Sequence, residues 1–167
     1  MKIGIVSDTH GKSKRLAAAF EAFRERGVEM VVHCGDLGSV ECLEMLGSTG
    51  LPAYAVAGNM DRHTGALADV AKQCGVVFGL ESVEVELPDG RRLGVAHGHH
   101  EAALRELIES GRCAYVCTGH SHRPADTRVG EVRVINPGAL RHARGPQGKT
   151  VAVLDTDADA VEFVELH

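Results

Sequence analysis

Asp8, His10, Asp36, Asn59, His97, His120 and His122 offer oxygen or imidazole nitrogen to a common partner, and none of them is a thiol. A structural zinc needs only four ligands and usually takes cysteine among them. Seven donors exceed that need. With bridging solvent they suit two divalent cations, each of about five- to six-fold coordination, sharing one carboxylate. Such ions sit roughly 3.5–4 Å apart and clamp an in-line displacement at phosphorus. The mixed nitrogen and oxygen donors point to manganese first, then iron, zinc or nickel, rather than to magnesium or calcium.

Each donor stands where an apolar run gives way to a loop. The run "KIGIVSD" reads as a strand ending in Asp8-Thr9-His10, "EMVVHCGD" as one ending in Asp36, and "PAYAVAGN" as one ending in Asn59-Met60-Asp61. Between them, "SKRLAAAFEAFRERG" carries Leu16, Phe20 and Phe23 at helical spacing, with a stop at Gly27. A second helix is predicted over "SVECLEMLG" with Ser39 as N-cap, and a third over "TGALADVAKQCG", stopped by Gly75. Three strand–helix units in succession predict a parallel sheet with right-handed crossovers.

The texture changes after residue 80. "SVEVELPDGRRLGVAHG" predicts a hairpin around Pro88-Asp89-Gly90, running out into His97-Gly98-His99. A helix over "HEAALRELIESG" and a buried strand over "CAYVCTG" follow, the latter ending in Gly119-His120-Ser121-His122. "TRVGEVRVINPG" predicts strand, turn and strand over 127–138, and the C-terminus a hairpin turning at 156–158. Ligands in open α/β sheets bind beyond the carboxyl ends of strands, and that is where all seven donors fall.

A length of 167 residues suits one domain, 1–167, with a core of its own. Apolar residues make up 44% and charged residues 25%, an ordinary globular balance. The net charge of −5 argues against general attraction to nucleic acid or anionic membranes, so neither is an expected partner. No apolar run approaches the ~20 residues of a membrane span. The run in "MKIGIVSDTHG" is too short for the apolar region of a secretory signal. Five cysteines without a C-x-x-C pair read as reduced and mostly buried, which implies a cytoplasmic protein.

The motifs D-x-H at Asp8, GD at Asp36, GN-x-D at Asn59, HG at His97 and GH-x-H at His120 occur in this order. Together with "SDTHG", "HCGD" and "INPGA" they resemble the calcineurin-like metallophosphoesterases, most closely the small prokaryotic YfcE-type phosphodiesterases. The resemblance covers nearly the whole chain. It implies a four-layer α/β/β/α sandwich with two packed mixed β-sheets. It further implies a phosphoesterase, foremost a phosphodiesterase, acting on a small phosphodiester or phosphate ester through in-line attack by a metal-bridging hydroxide. One metal is then held by Asp8, His10, Asp36 and His122. The other is held by Asp36, Asn59, His97 and His120, with Asp36 bridging. A scaffold of the same fold, as in retromer's sorting subunit, is the alternative, and the complete ligand set here favours the enzyme. Homo-oligomerisation is left open.

Further positions bear on the site. Asn59, Asp61 and His99 are assigned to the catalytic machinery, Asn59 and His99 as substrate contacts and Asp61 by orienting Asn59 or a ligand histidine. Many relatives carry His after the Asn of the GN motif, where this chain has Met60. Met60 cannot donate a proton to a poor leaving group, so diesters and activated esters are expected over simple alkyl monoesters. The hydroxyl of the family's "NPGS" is missing at Ala139. His33 reads as a packed core residue and His63 as a helix-start residue. Arg141, His142 and Arg144 form a basic group open to either solvent or a phosphate.

Overall fold

The computed structural model describes residues 1–167 and contains eleven strands and four helices. Its first half runs β1 (Lys2–Val6), α1 (Ser13–Glu25), β2 (Met30–His33), α2 (Val40–Ser48), β3 (Ala53–Val56), α3 (Thr64–Cys74) and β4 (Val77–Gly79). Its second half runs β5 (Ser82–Glu86), β6 (Arg92–Ala96), α4 (Glu101–Glu109), β7 (Tyr115–Cys117), β8 (Pro124–Val129), β9 (Val132–Pro137), β10 (Thr150–Asp155) and β11 (Ala160–Glu165). One sheet has the order β11-β10-β1-β2-β3-β4 and the other β5-β6-β7-β9-β8. In the first, β1 to β4 are parallel and the C-terminal hairpin adds to β1 antiparallel. In the second, β6, β7 and β9 are parallel and the edge strands β5 and β8 antiparallel.

The predicted caps are in place. The Ser39 hydroxyl accepts from the Cys42 amide, and Gly75 ends α3 at φ 72°. Two elements depart from the sequence reading. β4 has only three residues, too few to show a period, and it forms because β3 offers a free edge at Tyr54–Val56. β8 begins at Pro124 rather than at Thr127. It is an edge strand, where a residue without an N–H is tolerated.

Strand alternation sorts the apolar side chains into layers. Ile3, Ile5, Val32 and Val56 point from the first sheet onto Leu93, Val95, Cys117 and Ile135 of the second. The opposite face of the first sheet, with Val6 and Val31, packs under Leu16 and Phe23 of α1, Leu43 and Leu46 of α2 and Leu67 of α3. The outer face of the second sheet meets Leu107 of α4 through Ala96, Val116 and Val132. This is the expected α/β/β/α arrangement. Each such Val, Leu, Ile or Phe contributes about 1.5–3 kcal/mol when fully buried. Gly4 is required here, since a Cβ would lie 2.7 Å from the Phe23 ring. The two sheets are also joined at one rim, where the His97 Nδ1–H of the β6 end donates to the Cys34 carbonyl of the β2 end at 2.7 Å.

Candidate metal centre

The loops after β1, β2, β3, β6 and β7 meet at that rim. Backbone bonds lace them together: Asp8 N to Gly35 O at 3.0 Å, His10 N to Asp36 O at 2.9 Å, Gly119 N to His97 O at 3.0 Å and Arg141 N to Asp8 O at 3.1 Å. The lacing holds the backbone in an unusual conformation. Asp8, His10, Asp36, His120 and His122 all have positive φ, between 47° and 65°. Such a conformation costs a non-glycine residue of order 1–3 kcal/mol and gathers at functional sites. Five of the seven predicted ligands share it. Gly58 and Gly119 allow the close approach, because a Cβ would stand 2.1 Å from Asp36 Oδ1 at Gly58 and 2.0 Å from Ser7 Oγ at Gly119.

The donor atoms converge as lone pairs. His97 gives its Nδ1–H to the Cys34 carbonyl, and His122 gives its Nδ1–H to the His142 carbonyl at 3.0 Å. A carbonyl oxygen cannot donate, so in each neutral ring the bare nitrogen is Nε2. His122 Nε2 then lies 3.0 Å from Asp8 Oδ1. His97 Nε2 lies 3.1 Å from Asn59 Oδ1 and 3.6 Å from Asp36 Oδ2. His10 Nε2 is also 3.6 Å from Asp36 Oδ2, and His120 Nδ1 is 3.1 Å from Asn59 Oδ1. Asp8 Oδ1 and His10 Nε2 are buried without any hydrogen bond. Acceptors crowded onto acceptors in a buried place need a proton or a metal cation between them.

The carboxylates are aimed by their other oxygens. Asp8 Oδ2 accepts from Ser7 Oγ at 2.6 Å and from the His120 amide at 3.1 Å, which leaves Oδ1 for a metal. Asp36 Oδ1 accepts from the Met60 amide at 2.8 Å, which leaves Oδ2 midway between His10 and His97. Two groups of donors have all their ligand atoms within 4.8 Å of one another: Asp8, His10 and His122, and Asp8, Asp36 and His97. The two groups share Asp8, and Asp36 Oδ2 lies between His10 and His97, so the residues present fit a divalent metal centre.

Ionisation follows from the same contacts. Burial is the main reason the His10 ring holds its proton less readily than usual, despite Asp36 and Asp8 beside it. Burial also opposes a charge on His97, but the Asp36 carboxylate outweighs it and raises that ring's affinity for a proton. Asp36 is held below the usual carboxylate range by His97 and the Met60 amide, against the cost of its burial. A divalent ion competes for the place of the proton on His97.

The neighbouring residues take distinct places. The Asp61 carboxylate touches neither Asn59 nor a histidine. It accepts from the Leu37, Gly38 and Gly58 amides at 3.1, 2.8 and 2.8 Å, and so ties the loop after β2 to the loop after β3. The His99 ring lies 5.3 Å from that of His97 and 6.3 Å from that of His120, with its Nδ1 buried and unpartnered. His33 is fully buried, accepting from the Gly35 amide at Nδ1 and bonded to Thr9 Oγ1 through Nε2. His142 sits at φ 55° with its ring 6.2 Å from His10, so the segment after β9 borders the site. Spacing alone gives Ser7 and Asn136 no role. In the fold, Asn136 Nδ2 donates to Gly119 O at 2.7 Å and Ser121 Oγ at 3.1 Å, fixing the loop that carries His120 and His122. The only sequence signal was the position of each next to a strand end.

Comparison with known proteins bears on the family and the fold. The model of the calcineurin-like phosphoesterase superfamily domain matches residues 1–159. Phosphodiesterase MJ0936 of Methanocaldococcus jannaschii is 34% identical over 161 residues, covering 94% of each chain. Phosphodiesterase YfcE of Escherichia coli is 24% identical over 177 residues, covering 96% of this chain and 91% of YfcE. A solved archaeal phosphodiesterase superposes with a TM-score of 0.86 at 31% identity, over 99% of this chain and all of the other. A donor cluster built at the strand ends, and a family match that runs from the first residue almost to the last, place this chain in the calcineurin-like phosphoesterase superfamily.

Proposed function

We propose that the protein is a divalent-metal-dependent phosphodiesterase acting on a small phosphodiester. The observation that carries this is the convergence of His10 and His97 Nε2 on Asp36 Oδ2, with buried Asp8 Oδ1 and His10 Nε2 lacking any hydrogen-bond partner. Asp8, His10, Asp36 and His122 hold one cation, and Asp36, Asn59, His97 and His120 the other. Manganese suits this donor set first, and iron, zinc or nickel next. When bound, the pair acidifies a water molecule and offsets the charge that builds on the phosphoryl oxygens.

The chain's own residues supply the rest. Cys34 O and His142 O each accept from an Nδ1–H and so fix the tautomers of His97 and His122, leaving Nε2 of each ring as the nitrogen that faces the carboxylates. The Met60 and His120 amides keep the two carboxylates from rotating. His99, beside His97 and His120, contacts a phosphoryl oxygen of the substrate, while Asp61 positions the Asp36 and Asn59 loops without touching it. Met60 offers no proton to an alkoxide, which favours diesters and activated esters over alkyl monoesters. A chain with a net charge of −5 offers little general attraction to a nucleic acid strand. The reduced cysteines suit the cytoplasm.

The test is hydrolysis of bis(para-nitrophenyl) phosphate by protein stripped of metal and reloaded with Mn²⁺. Turnover is expected with metal and not with chelator. Asp36→Asn is expected to lower kcat/KM by about a thousandfold, the scale seen when a main electrostatic element is removed. Undiminished activity in Asp36→Asn contradicts the proposal.

A further inference from the structure

A cleft of about 240 Å³ adjoins the donor cluster on its Asn59 side, with Ser39, Val40, Met60, Arg62, His63 and Leu67 among its walls. It is continuous with the cluster through the backbone. The Met60 amide bonds Asp36 Oδ1, and Gly38, also in the cleft, packs so tightly on the His10 backbone that a Cβ would come within 2.6 Å of it. Two of the five large hydrophobic side chains that the fold leaves exposed border this one cleft, Val40 at 41% and Met60 at 49%. Val40 opens α2, and Leu67 lies in the first turns of α3, so rigid elements hold two of its walls.

The opposite flank of the cluster differs. A groove of about 290 Å³ runs past His120, and its polar groups are already engaged. Thr118 Oγ1 donates to His97 O, and Asn136 Nδ2 to Gly119 O and Ser121 Oγ. That flank holds the His120 loop in place, whereas the Met60 cleft offers unengaged apolar surface next to the reacting position.

We propose that the Val40–Met60–Leu67 cleft receives the substituent of the diester that does not leave, that Met60, having no proton to give a leaving group, lines this subsite instead, and that the cleft selects a flat aromatic or heterocyclic group over a small alkyl one. This rests on the phosphodiesterase reading and adds the substrate class to it. The volume falls below the roughly 300–1,000 Å³ of pockets for drug-sized ligands, so it suits a single ring system rather than a long chain. Sulfur–aromatic contact is available from Met60, and a cation for the ring face from Arg62.

Three diesters with the same para-nitrophenyl leaving group test it, the second substituent being methyl, phenyl or nucleosidyl. With Mn²⁺-loaded protein, and with uncatalysed rates divided out, kcat/KM for the phenyl and nucleosidyl esters is expected to exceed that for the methyl ester by about tenfold or more. That ratio should collapse toward one in Val40→Asp, an acidic residue that an α2 N-terminus tolerates, and in Met60→Ala. No preference in the native protein, or a ratio unchanged in both variants, overturns the proposal. Calorimetric titration with phenylphosphonate and methylphosphonate gives a readout free of turnover. Tighter phenylphosphonate binding that Val40→Asp abolishes supports the cleft, and equal binding of the two overturns it. If none of the three diesters turns over, the phosphodiesterase reading fails, and the phosphonate pair then decides the cleft by itself.

Discussion

At the scale of single residues, the site is held in conformations that the chain would avoid elsewhere. Asp8, His10, Asp36, His120 and His122 keep positive φ because loop-to-loop hydrogen bonds hold them there. His120 is exposed, so its contribution to packing is small and its backbone strain can be measured. In chelator, His120→Gly is expected to be more stable than His120→Ala by about 1 kcal/mol, since glycine adopts φ 65° without cost. Urea titration of the two variants checks this, and equal stability would deny the strain. The buried His33 makes a second prediction. Burial lowers its pKa from 6.5 to about 3, so the unfolded chain takes up a proton that the folded chain refuses. Its contribution is therefore complete above about pH 6.5 and is lost as the pH falls toward 3. Between about pH 7 and pH 5, the native protein in chelator should lose about 2 kcal/mol more than His33→Gln. The candidate donors could be named at this scale, because their residue types and order stand in the sequence itself. The φ values were not, because a sequence does not record which amides will reach across to Asp8 and Asp36.

At the scale of elements, the central device is Asp61. Its carboxylate gathers three amides from two loops that are separated by α2 and β3. Asp61→Ala leaves those buried donors without a partner and is expected to cost about 2–3 kcal/mol of stability. Because the loops carry Asp36 and Asn59, it should also weaken metal binding by about 10- to 100-fold. Asp61→Asn, which keeps one acceptor oxygen, should recover part of both. Calorimetric Mn²⁺ titration beside thermal melts separates the two effects, and a variant with full metal affinity would confine Asp61 to stability alone. The sequence placed Asp61 near the site but pointed it at Asn59 or a histidine. Its partners are backbone amides, which have no side-chain signature. Asn136 was legible only as a strand-end residue of "INPGA", and its role was not, as its main partner is the Gly119 carbonyl. The helices and their glycine stops could be read because period and capping are local. The three-residue β4 could not, as it exists only through its pairing with β3.

At the scale of the whole molecule, two sheets are packed so that their carboxyl ends share one rim. The apolar alternation that builds the inter-sheet core, with Ile3 and Ile5 against Leu93 and Ile135, also sets which loops meet. Strand identity, β4 apart, came from the sequence. The insertion of β10 between β1 and β11 did not, because long-range pairing carries no local pattern, and the two-sheet layering came from family resemblance. Since the candidate ligands come from the strand ends of both sheets, bound metal is expected to tie the halves together. At a hundredfold excess over Kd, Mn²⁺ is expected to add about 2.7 kcal/mol per site to the unfolding free energy, read by chemical denaturation against a chelated sample. A gain far below that would separate metal binding from folding.

The most direct measurement of the central claim is electron paramagnetic resonance of metal-stripped protein titrated with Mn²⁺. Two ions bridged by Asp36 at the roughly 3.5–4 Å expected of a two-metal site should give an exchange-coupled signal that saturates at two equivalents per chain and is lost in Asp36→Asn. Saturation at one equivalent, or only the isolated six-line Mn²⁺ spectrum at every ratio, would contradict it.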